Sequence, residues 1–179
     1  MSNSQDIRSQ GASSSTFPVR RADRVMDEAD SVALLERCLV GHLGTVSADG
    51  TPYVTPMNYV YVPGSNRMYL HMSAQRGHLL ANLEHSPKVC FQVERAGPVV
   101  QTGETGCDAS QVYQSVVCFG TARFISVRSQ KEHVLRMFNE KYAPKLPTDS
   151  FPRLDETLVV AIAIERMTGK RRPMPPQTW

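Results

Sequence analysis

Apolar runs separated by turn-forming residues make up the first half of the chain. Residues 42–47 and 53–62 flank the tetrapeptide ADGT, which predicts a β-hairpin that turns at Asp49 and Gly50. A second turn, PGSN, leads into a third predicted strand at residues 68–72. Because proline cannot donate a ladder hydrogen bond, Pro56 places the second run at a sheet edge or a bulge.

Three more strands are predicted in the second half. Residues 88–95 alternate apolar and polar side chains, which is typical of a half-buried strand. A Gly-rich polar stretch at 96–112 separates them from a long strand at 113–127, where Gly120 predicts a bend. The last run, 157–165, is continuously apolar and therefore indicates a strand buried on both faces.

Helical spacing of apolar side chains predicts three helices. The first is capped by Asp27 or Asp30 and ends at Gly41. The second covers residues 76–85 and stops at the Ser-Pro pair that follows. The third covers 129–142, with Ser129 as its N-cap.

The order of these elements decides the fold class. Most strands follow one another through turns instead of alternating with long helices, so we expect a mainly β protein, an antiparallel barrel with peripheral helices. The chain lacks the GxGxxG and GxxxxGK[ST] phosphate-binding motifs. We assign one domain to residues 20–170, a disordered polar tail to 1–19 and a solvated tail to 171–179. The basic cluster Lys170–Arg172 is then a solvated surface feature.

Composition and charge narrow the class of protein. The 179 residues are 41% hydrophobic with a net charge of +3, and the basic residues are spread out, which argues against a nucleic-acid partner. No apolar stretch approaches the roughly 20 residues that cross a membrane, and the N-terminus is polar. The four cysteines form no CxxC pair, which argues against a zinc site. We therefore expect a cytoplasmic protein with reduced thiols.

The stretch YLHMSAQRGHLLANL carries the strongest candidate chemistry. A strand ends at Ser73, and Arg76 and Gly77 precede a helix whose N-terminus offers unpaired N–H groups to an anion. A hydroxyl, a guanidinium fork and a glycine that permits close approach suit a phosphate. The alternative is that Ser73 only caps the helix while Arg76 is solvated.

The histidines give weaker evidence for a functional site than this turn does. His71, His78 and His85 are evenly spaced, but the first lies on a predicted strand and the others on a helix, so we do not expect them to converge on a metal. No Ser–His–Asp or Cys–His pattern indicates hydrolysis.

Three segments together resemble a known family. They are GHLGTVSADGTPYVTPMNYVYV, MYLHMSAQRGHLLANLEHSPKVCFQVE and CDASQVYQSVVCFGTARFI. They are similar to the pyridoxamine phosphate oxidase-like FMN-binding split barrels, above all to the nitroimidazole-resistance (Nim) branch. The resemblance covers roughly residues 20–170. It implies a split-barrel homodimer that holds two FMN molecules in clefts between its subunits.

The resemblance also implies a set of site residues. The turn after the third strand receives the FMN phosphate: Ser73, Ala74, Arg76 and Gly77. The second strand runs along the flavin ring: Thr55, Met57, Asn58 and Tyr59. The long strand of the partner subunit closes the site: Tyr113 and Ser115. His71 faces the ring in a catalytic or ligand-holding role.

Two departures from the family pattern limit how much of the family's function the resemblance implies for this chain. Residues 167–172 do not reproduce the basic substrate-binding set of the oxidase proper, so oxidation of the vitamin is not implied. Arg76 stands where many relatives carry lysine, which preserves the positive charge.

We therefore expect an FMN-dependent oxidoreductase that reduces a small electrophile, with nitro compounds as the candidate substrates. The alternatives are a flavin-binding protein without turnover, a haem carrier with His71 or His42 as axial ligand, and a barrel that binds the deazaflavin F420.

Overall fold

The computed structural model describes residues 18–147 and 150–173. Most of both predicted tails lies outside these residues. The strands of the described part are β1 Val25–Met26, β2 Val40–Val46, β3 Pro52–Asn58, β4 Val60–Val62, β5 Arg67–Ser73, β6 Lys88–Gln101, β7 Ala109–Ile125 and β8 Thr157–Arg172. Its α-helices are α1 Glu28–Arg37, α2 His78–His85 and α3 Arg128–Tyr142. The mainly β prediction is confirmed.

All strands join one antiparallel sheet in the order β3-β2-β6-β7-β8-β5-β4, with β1 paired to β8. The β2–β3 hairpin turns at Gly50, whose φ of 86° is a conformation that glycine adopts easily. Pro56 lies on β3 at the sheet edge, where its missing N–H breaks no ladder on the open side. The predicted β2–β3 hairpin and the predicted edge position of Pro56 are both confirmed.

Three strands are longer or more divided than predicted. β6 continues through the predicted loop to Gln101, and β8 continues past Glu165 to Arg172. The basic cluster predicted as a solvated tail is therefore part of the sheet. The bend at Gly120 is confirmed, because the β7–β8 register shifts between Phe119 and Gly120. The second predicted strand divides at Tyr59 into β3 and β4.

Two of the predicted helix ends are wrong. Asp27 caps α1 as predicted, since its side chain accepts a hydrogen bond from the Asp30 N–H at 2.7 Å. However, α1 ends at Arg37, and Gly41 lies inside β2. Ser129 lies within the first turn of α3, where Val127 is the N-cap.

The core fills the inner face of the sheet beneath α1. Its fully buried members come from α1 and from β2 to β7: Leu34, Leu35, Leu43, Tyr59, Met68, Phe91, Val93 and Val116. A second, smaller cluster seats α3 on the outer face of β4, β5 and β8: Val60, Val134, Phe138 and Val159. No helix of the described residues is long and apolar enough to cross a membrane.

Candidate functional site

Two hydrogen bonds hold the turn after β5. The Ser73 hydroxyl accepts a hydrogen bond from the Gln75 N–H at 3.1 Å, and the Ala74 N–H donates to the Glu156 carbonyl at 2.8 Å. Ser73 therefore does not cap α2, which begins after Gly77. Because the Ser73 oxygen only accepts here, its hydroxyl hydrogen can be donated to a ligand.

Arg76 projects from this turn into solvent. Its side chain is 78% exposed, and Nη1 lies 3.4 Å from Oε2 of Glu84, in the last turn of α2. An exposed pair of this kind is worth little free energy, since both groups are well solvated. The guanidinium can therefore leave Glu84 and turn to a phosphate at small cost.

Gly77 is not required by the fold itself. It is the N-cap of α2 with an extended backbone, φ −154° and ψ 178°, which any residue can adopt. A Cβ atom built on it would have no neighbour within 4 Å. No side chain caps the N–H groups of α2 from this position. The open space and the uncapped helix start together fit an anion such as phosphate.

The edge strand β3 carries predicted site residues that face inward and one that faces outward. Thr55 pairs with Leu43 of β2 and shares its inward face, and the Thr55 hydroxyl is buried without a hydrogen-bond partner in the described residues. A buried polar group of this kind is costly unless a ligand or water satisfies it. Met57, two residues on, packs against the core. Asn58 faces outward and donates to the Leu39 carbonyl at 3.1 Å.

Tyr59, the last residue of the predicted ring-lining group, has its side chain in the core. Its ring is 0% exposed, packs edge-on against Phe91, and donates its hydroxyl to the Leu35 carbonyl at 2.6 Å. Burial raises the pKa of this phenol far above its ordinary value. The Tyr59 side chain therefore anchors the core beneath α1.

His71 shares a face of β5 with Ser73, as strand alternation predicts. Its imidazole packs edge-on against Phe138 of α3, with ring centroids 4.6 Å apart. The residue remains solvent-exposed, but partial desolvation on the side of α3 lowers the pKa of His71 below its ordinary value. Beside it lies a cavity of about 310 Å³ between α3 and the segment before β8. Its walls include Leu135, Asn139 and Arg153. Nothing in the sequence pattern marks Asn139 or Arg153 as neighbours of His71.

The histidines do not converge. His78 stacks on Tyr53 at 4.4 Å and its Nε2 lies 3.1 Å from the Ser47 hydroxyl, away from His71. His42 faces outward from β2, and its Nδ1 lies 3.7 Å from Oε2 of Glu94. Within residues 18–147 and 150–173, no group of three or more His, Cys, Asp or Glu could hold a metal ion.

Tyr113 and Ser115 lie far from the β5 turn within one chain. Tyr113 pairs with Arg172, whereas Ser73 pairs with Thr157, and these two positions are the opposite ends of β8. The phosphate-turn residues and the pair Tyr113 and Ser115 therefore lie beside opposite ends of β8. A single subunit does not bring them together.

Comparison with known proteins identifies the family. The model for the family described as pyridoxamine 5'-phosphate oxidase matches residues 27–171. The chain belongs to this family. Its antiparallel sheet with peripheral helices is the split barrel of that family, as the resemblance implied. No curated protein matches the chain.

Solved structures extend this finding. A candidate 5-nitroimidazole antibiotic resistance protein from Bacteroides thetaiotaomicron is 25% identical, with a TM-score of 0.71, covering 82% of this chain and 86% of that one. The flavocytochrome Anf3 from Azotobacter vinelandii is 26% identical, with a TM-score of 0.77, covering 91% and 76%. The FAD and heme binding protein from Mycobacterium smegmatis, at 21% identity and TM-score 0.68 over 86% and 75%, shares the fold. The solved structures that share this fold thus include a flavocytochrome and a protein named for FAD and heme.

Proposed function

We propose that this protein is a cytoplasmic flavoprotein that binds FMN and reduces a small electrophile, with nitro compounds as the substrate class. The observation that carries the proposal is the β5–α2 turn, where the Ser73 hydroxyl, the Arg76 guanidinium and the open space at Gly77 meet at an uncapped helix start. FMN, when bound, supplies the redox chemistry, and the protein binds and orients it.

Different residues of the chain would contact the phosphate and the ring of FMN. Ser73 and Arg76 donate charge-assisted hydrogen bonds to the phosphate, while Gly77 lets the backbone approach it. Ala74 contributes only its small side chain, because its N–H is already donated to Glu156. Thr55 offers its unpartnered hydroxyl to a polar edge of the flavin ring.

The cavity beside His71 is the proposed site of the electron acceptor. It adjoins the phosphate turn, because Thr157 in its wall pairs with Ser73 across β5 and β8. Leu135 and Leu154 give it an apolar side, while Asn139 and Arg153 add hydrogen-bond donors that suit nitro oxygens. His71 is positioned there to hold or donate a proton.

We further propose that the protein is a homodimer. Val40 and Val46 on β2 and Val54 on β3 point outward and are 49%, 44% and 61% exposed. An exposed apolar row across the edge strand β3 and its neighbour β2 is typical of a surface that contacts a second copy. Such a partner would bring its Tyr113 and Ser115 to the flavin, which one chain cannot do because these residues of β7 pair with the end of β8 that is far from the phosphate turn.

Haem binding is the second candidate. The Nδ1 atom of His42 is buried without a hydrogen-bond partner in the described residues, and only a weak contact with Glu94 lies near it. A neutral imidazole with a free nitrogen can serve as an axial ligand. The flavocytochrome and the FAD and heme binding protein show that the fold accommodates both groups in other proteins.

The absorption spectrum of the purified full-length protein separates these candidates. We expect the visible bands of oxidised flavin, and mass spectrometry of the released ligand should give FMN. A Soret band without flavin bands would favour the haem protein with His42 as ligand, and His42→Ala should then abolish it. A ligand with the mass of F420 would contradict the FMN assignment.

A further inference from the structure

Two side chains of α2 tie this helix to the β2–β3 hairpin. His78, the first residue of α2, stacks on Tyr53 of β3 with ring centroids 4.4 Å apart and 12° between the ring planes, and its Nε2 lies 3.1 Å from the Ser47 hydroxyl. Asn82 lies one turn further along the same helix face and donates from Nδ2 to the Thr45 hydroxyl of β2 at 3.0 Å. The helix and the hairpin are therefore joined at two successive turns of α2.

The contact of Asn82 is buried in the core. Asn82 and Thr45 are only 2% and 3% exposed. The Thr45 hydroxyl accepts the amide hydrogen and donates to the Tyr53 carbonyl at 3.4 Å, so the contact reaches both strands of the hairpin. A buried amide loses its hydration, and a hydrogen bond offsets that loss only where donor and acceptor meet at the right distance and angle. Because apolar packing is not directional, the Asn82 bond fixes the position of α2 more narrowly than a leucine would.

The two elements that are tied together carry the two ends of the proposed flavin site. The helix α2 begins directly after Gly77, at the turn proposed for the phosphate. Tyr53 lies two residues before Thr55 on the inward face of β3, and the Thr55 hydroxyl is the group proposed for the ring. The ribityl chain limits how far the phosphate can lie from the ring. The separation of Gly77 from Thr55 therefore decides whether one FMN molecule contacts both.

We propose that Asn82 and His78 are positioning residues that set the preference of this site for FMN over riboflavin. They act through α2, because they hold its N-terminus at the distance from β3 that the phosphate of a ring-bound FMN reaches. Riboflavin has no phosphate, so its binding does not depend on that distance. This inference rests on the proposed binding of FMN at the β5–α2 turn.

Paired affinities for FMN and riboflavin, measured by fluorescence titration of the full-length protein, test the role of Asn82. Asn82→Leu keeps the branched shape of the side chain and removes the hydrogen bond. We expect the ratio of the FMN affinity to the riboflavin affinity to fall about tenfold, because the phosphate loses its charge-assisted contacts when the turn shifts. The affinity for riboflavin itself should stay nearly unchanged.

Ser31→Ala is the matched control. It removes another buried hydrogen bond, which the Ser31 hydroxyl donates to the Asp27 carbonyl at 2.7 Å in α1. Ser31 packs against Gly169, toward the end of β8 that is far from the phosphate turn. This variant should lower the urea midpoint without changing the ratio of the two affinities. A ratio that falls equally in Ser31→Ala and Asn82→Leu would overturn the proposal.

A double variant separates positioning from stability. Combining Asn82→Leu with Thr45→Val replaces both partners by apolar groups, which should recover the urea midpoint that Asn82→Leu alone loses. The preference for FMN should remain low, because the apolar pair does not fix the helix. A preference that returns together with the stability would show that Asn82 only stabilises the fold, and would overturn its positioning role.

His78 provides a test that does not disturb the core, because its side chain is exposed. His78→Ala removes the stack on Tyr53 and should lower the preference for FMN, whereas His78→Phe keeps a ring on Tyr53 and should restore most of it. Equal losses in both variants would overturn the positioning role of His78.

The wild-type protein distinguishes this inference from the proposed function. If it binds FMN and riboflavin equally, the phosphate site itself is contradicted, and the inference falls with it. If it prefers FMN and both Asn82→Leu and His78→Ala keep that preference, the inference alone is contradicted.

Discussion

At the scale of single residues, a substitution at Gly77 distinguishes an effect on FMN binding from an effect on the stability of the fold. Its backbone is extended and a Cβ atom would meet nothing within 4 Å, so Gly77→Ala should leave the free energy of unfolding nearly unchanged. We expect it to weaken FMN binding about tenfold or more by obstructing the approach of the phosphate. Urea denaturation and fluorescence titration with FMN measure the two effects.

Gly106→Ala is the matched control for that experiment. A Cβ atom at Gly106 likewise meets nothing within 4 Å, but this glycine lies in the β6–β7 connection. It should alter neither stability nor FMN affinity. If Gly77→Ala also binds FMN like wild type, the phosphate does not approach this turn.

His71 gives a prediction that depends on pH. Partial desolvation against Phe138 lowers its folded-state pKa below 6.5, so the imidazole is neutral at pH 7 and the acid form accumulates only in more acidic solution. A proton donor at this position predicts that the rate of nitro reduction rises as the pH falls toward the lowered pKa. The same shift means that the stability His71 contributes is present above about pH 6.5 and is lost as the pH falls through the folded pKa.

Two variants separate proton transfer from packing at this position. His71→Phe retains a ring against Phe138 but cannot carry a proton, whereas His71→Ala removes both. If His71 donates the proton, both variants stay yellow, bind FMN tightly and react about 100-fold more slowly or worse, without the rise at acidic pH. A normal rate in His71→Phe would reduce His71 to a packing residue. Steady-state rates between pH 5 and 8 with a nitroaromatic acceptor decide the matter.

At the scale of elements, the end of α3 fixes the bend between β3 and β4. The Tyr142 hydroxyl accepts a hydrogen bond from the Tyr59 N–H at 2.9 Å and lies 2.7 Å from the carbonyls of both Leu39 and Tyr59. Lys141 donates to the carbonyls of Cys38 and Tyr59 at 3.0 and 3.1 Å. Backbone groups that a continuous ladder would pair are satisfied here by side chains of a distant helix.

Tyr142→Phe should therefore destabilise the protein by about 1–3 kcal/mol, because it leaves the Tyr59 N–H without its partner. Tyr69→Phe is the control, since Tyr69 packs beneath the same helix and its hydroxyl makes no hydrogen bond in the described residues. Urea midpoints of the two variants provide the measurement. Equal losses would show that the hydroxyl of Tyr142 does not hold the bend.

The bend at Tyr59 also shows a limit of predicting strands from the sequence alone. Alternation identified β6, and apolar runs bounded by turn residues identified β2, β3 and β5, so each of these strands carries its own local signal. Residues 53–62 are apolar enough to predict one strand, and nothing local marks the bend, which depends on Tyr142 more than 80 residues away in the chain. The end of α1 at Arg37 was missed for a similar reason, since Gly41 is placed in β2 by its packing against Phe91.

At the scale of the whole molecule, assembly is the first matter to test. Val54→Lys places a charge in the exposed apolar row on β3 and should shift the protein from dimer to monomer, measured by light scattering at micromolar concentration. Val99→Lys is the control, because Val99 is 67% exposed but lies on the distant part of β6. A wild-type protein that is monomeric with bound flavin would contradict the dimer.

For the proposed site, the sequence indicates which residues share a turn but not which distant residues meet in space. Ser73, Arg76 and Gly77 lie within five consecutive residues, so local pattern and family resemblance could place them on one turn. The contact of His71 with Phe138, the cavity wall at Arg153 and the hydrogen bond of Asn82 with Thr45 join residues that are far apart in the chain. Strand register and helix packing decide such contacts, and neither has a signal in a single sequence.

The affinity of the purified full-length protein for FMN compared with riboflavin tests the central claim most directly, because the two ligands differ only in the phosphate. If the β5–α2 turn holds the phosphate, FMN binds about 10–100-fold more tightly than riboflavin, the worth of a charge-assisted contact of about 1.5–3 kcal/mol. Arg76→Ala should lose most of this difference and Arg76→Lys should keep part of it. Equal affinity for both flavins in the wild-type protein, or no affinity for either, would contradict the account.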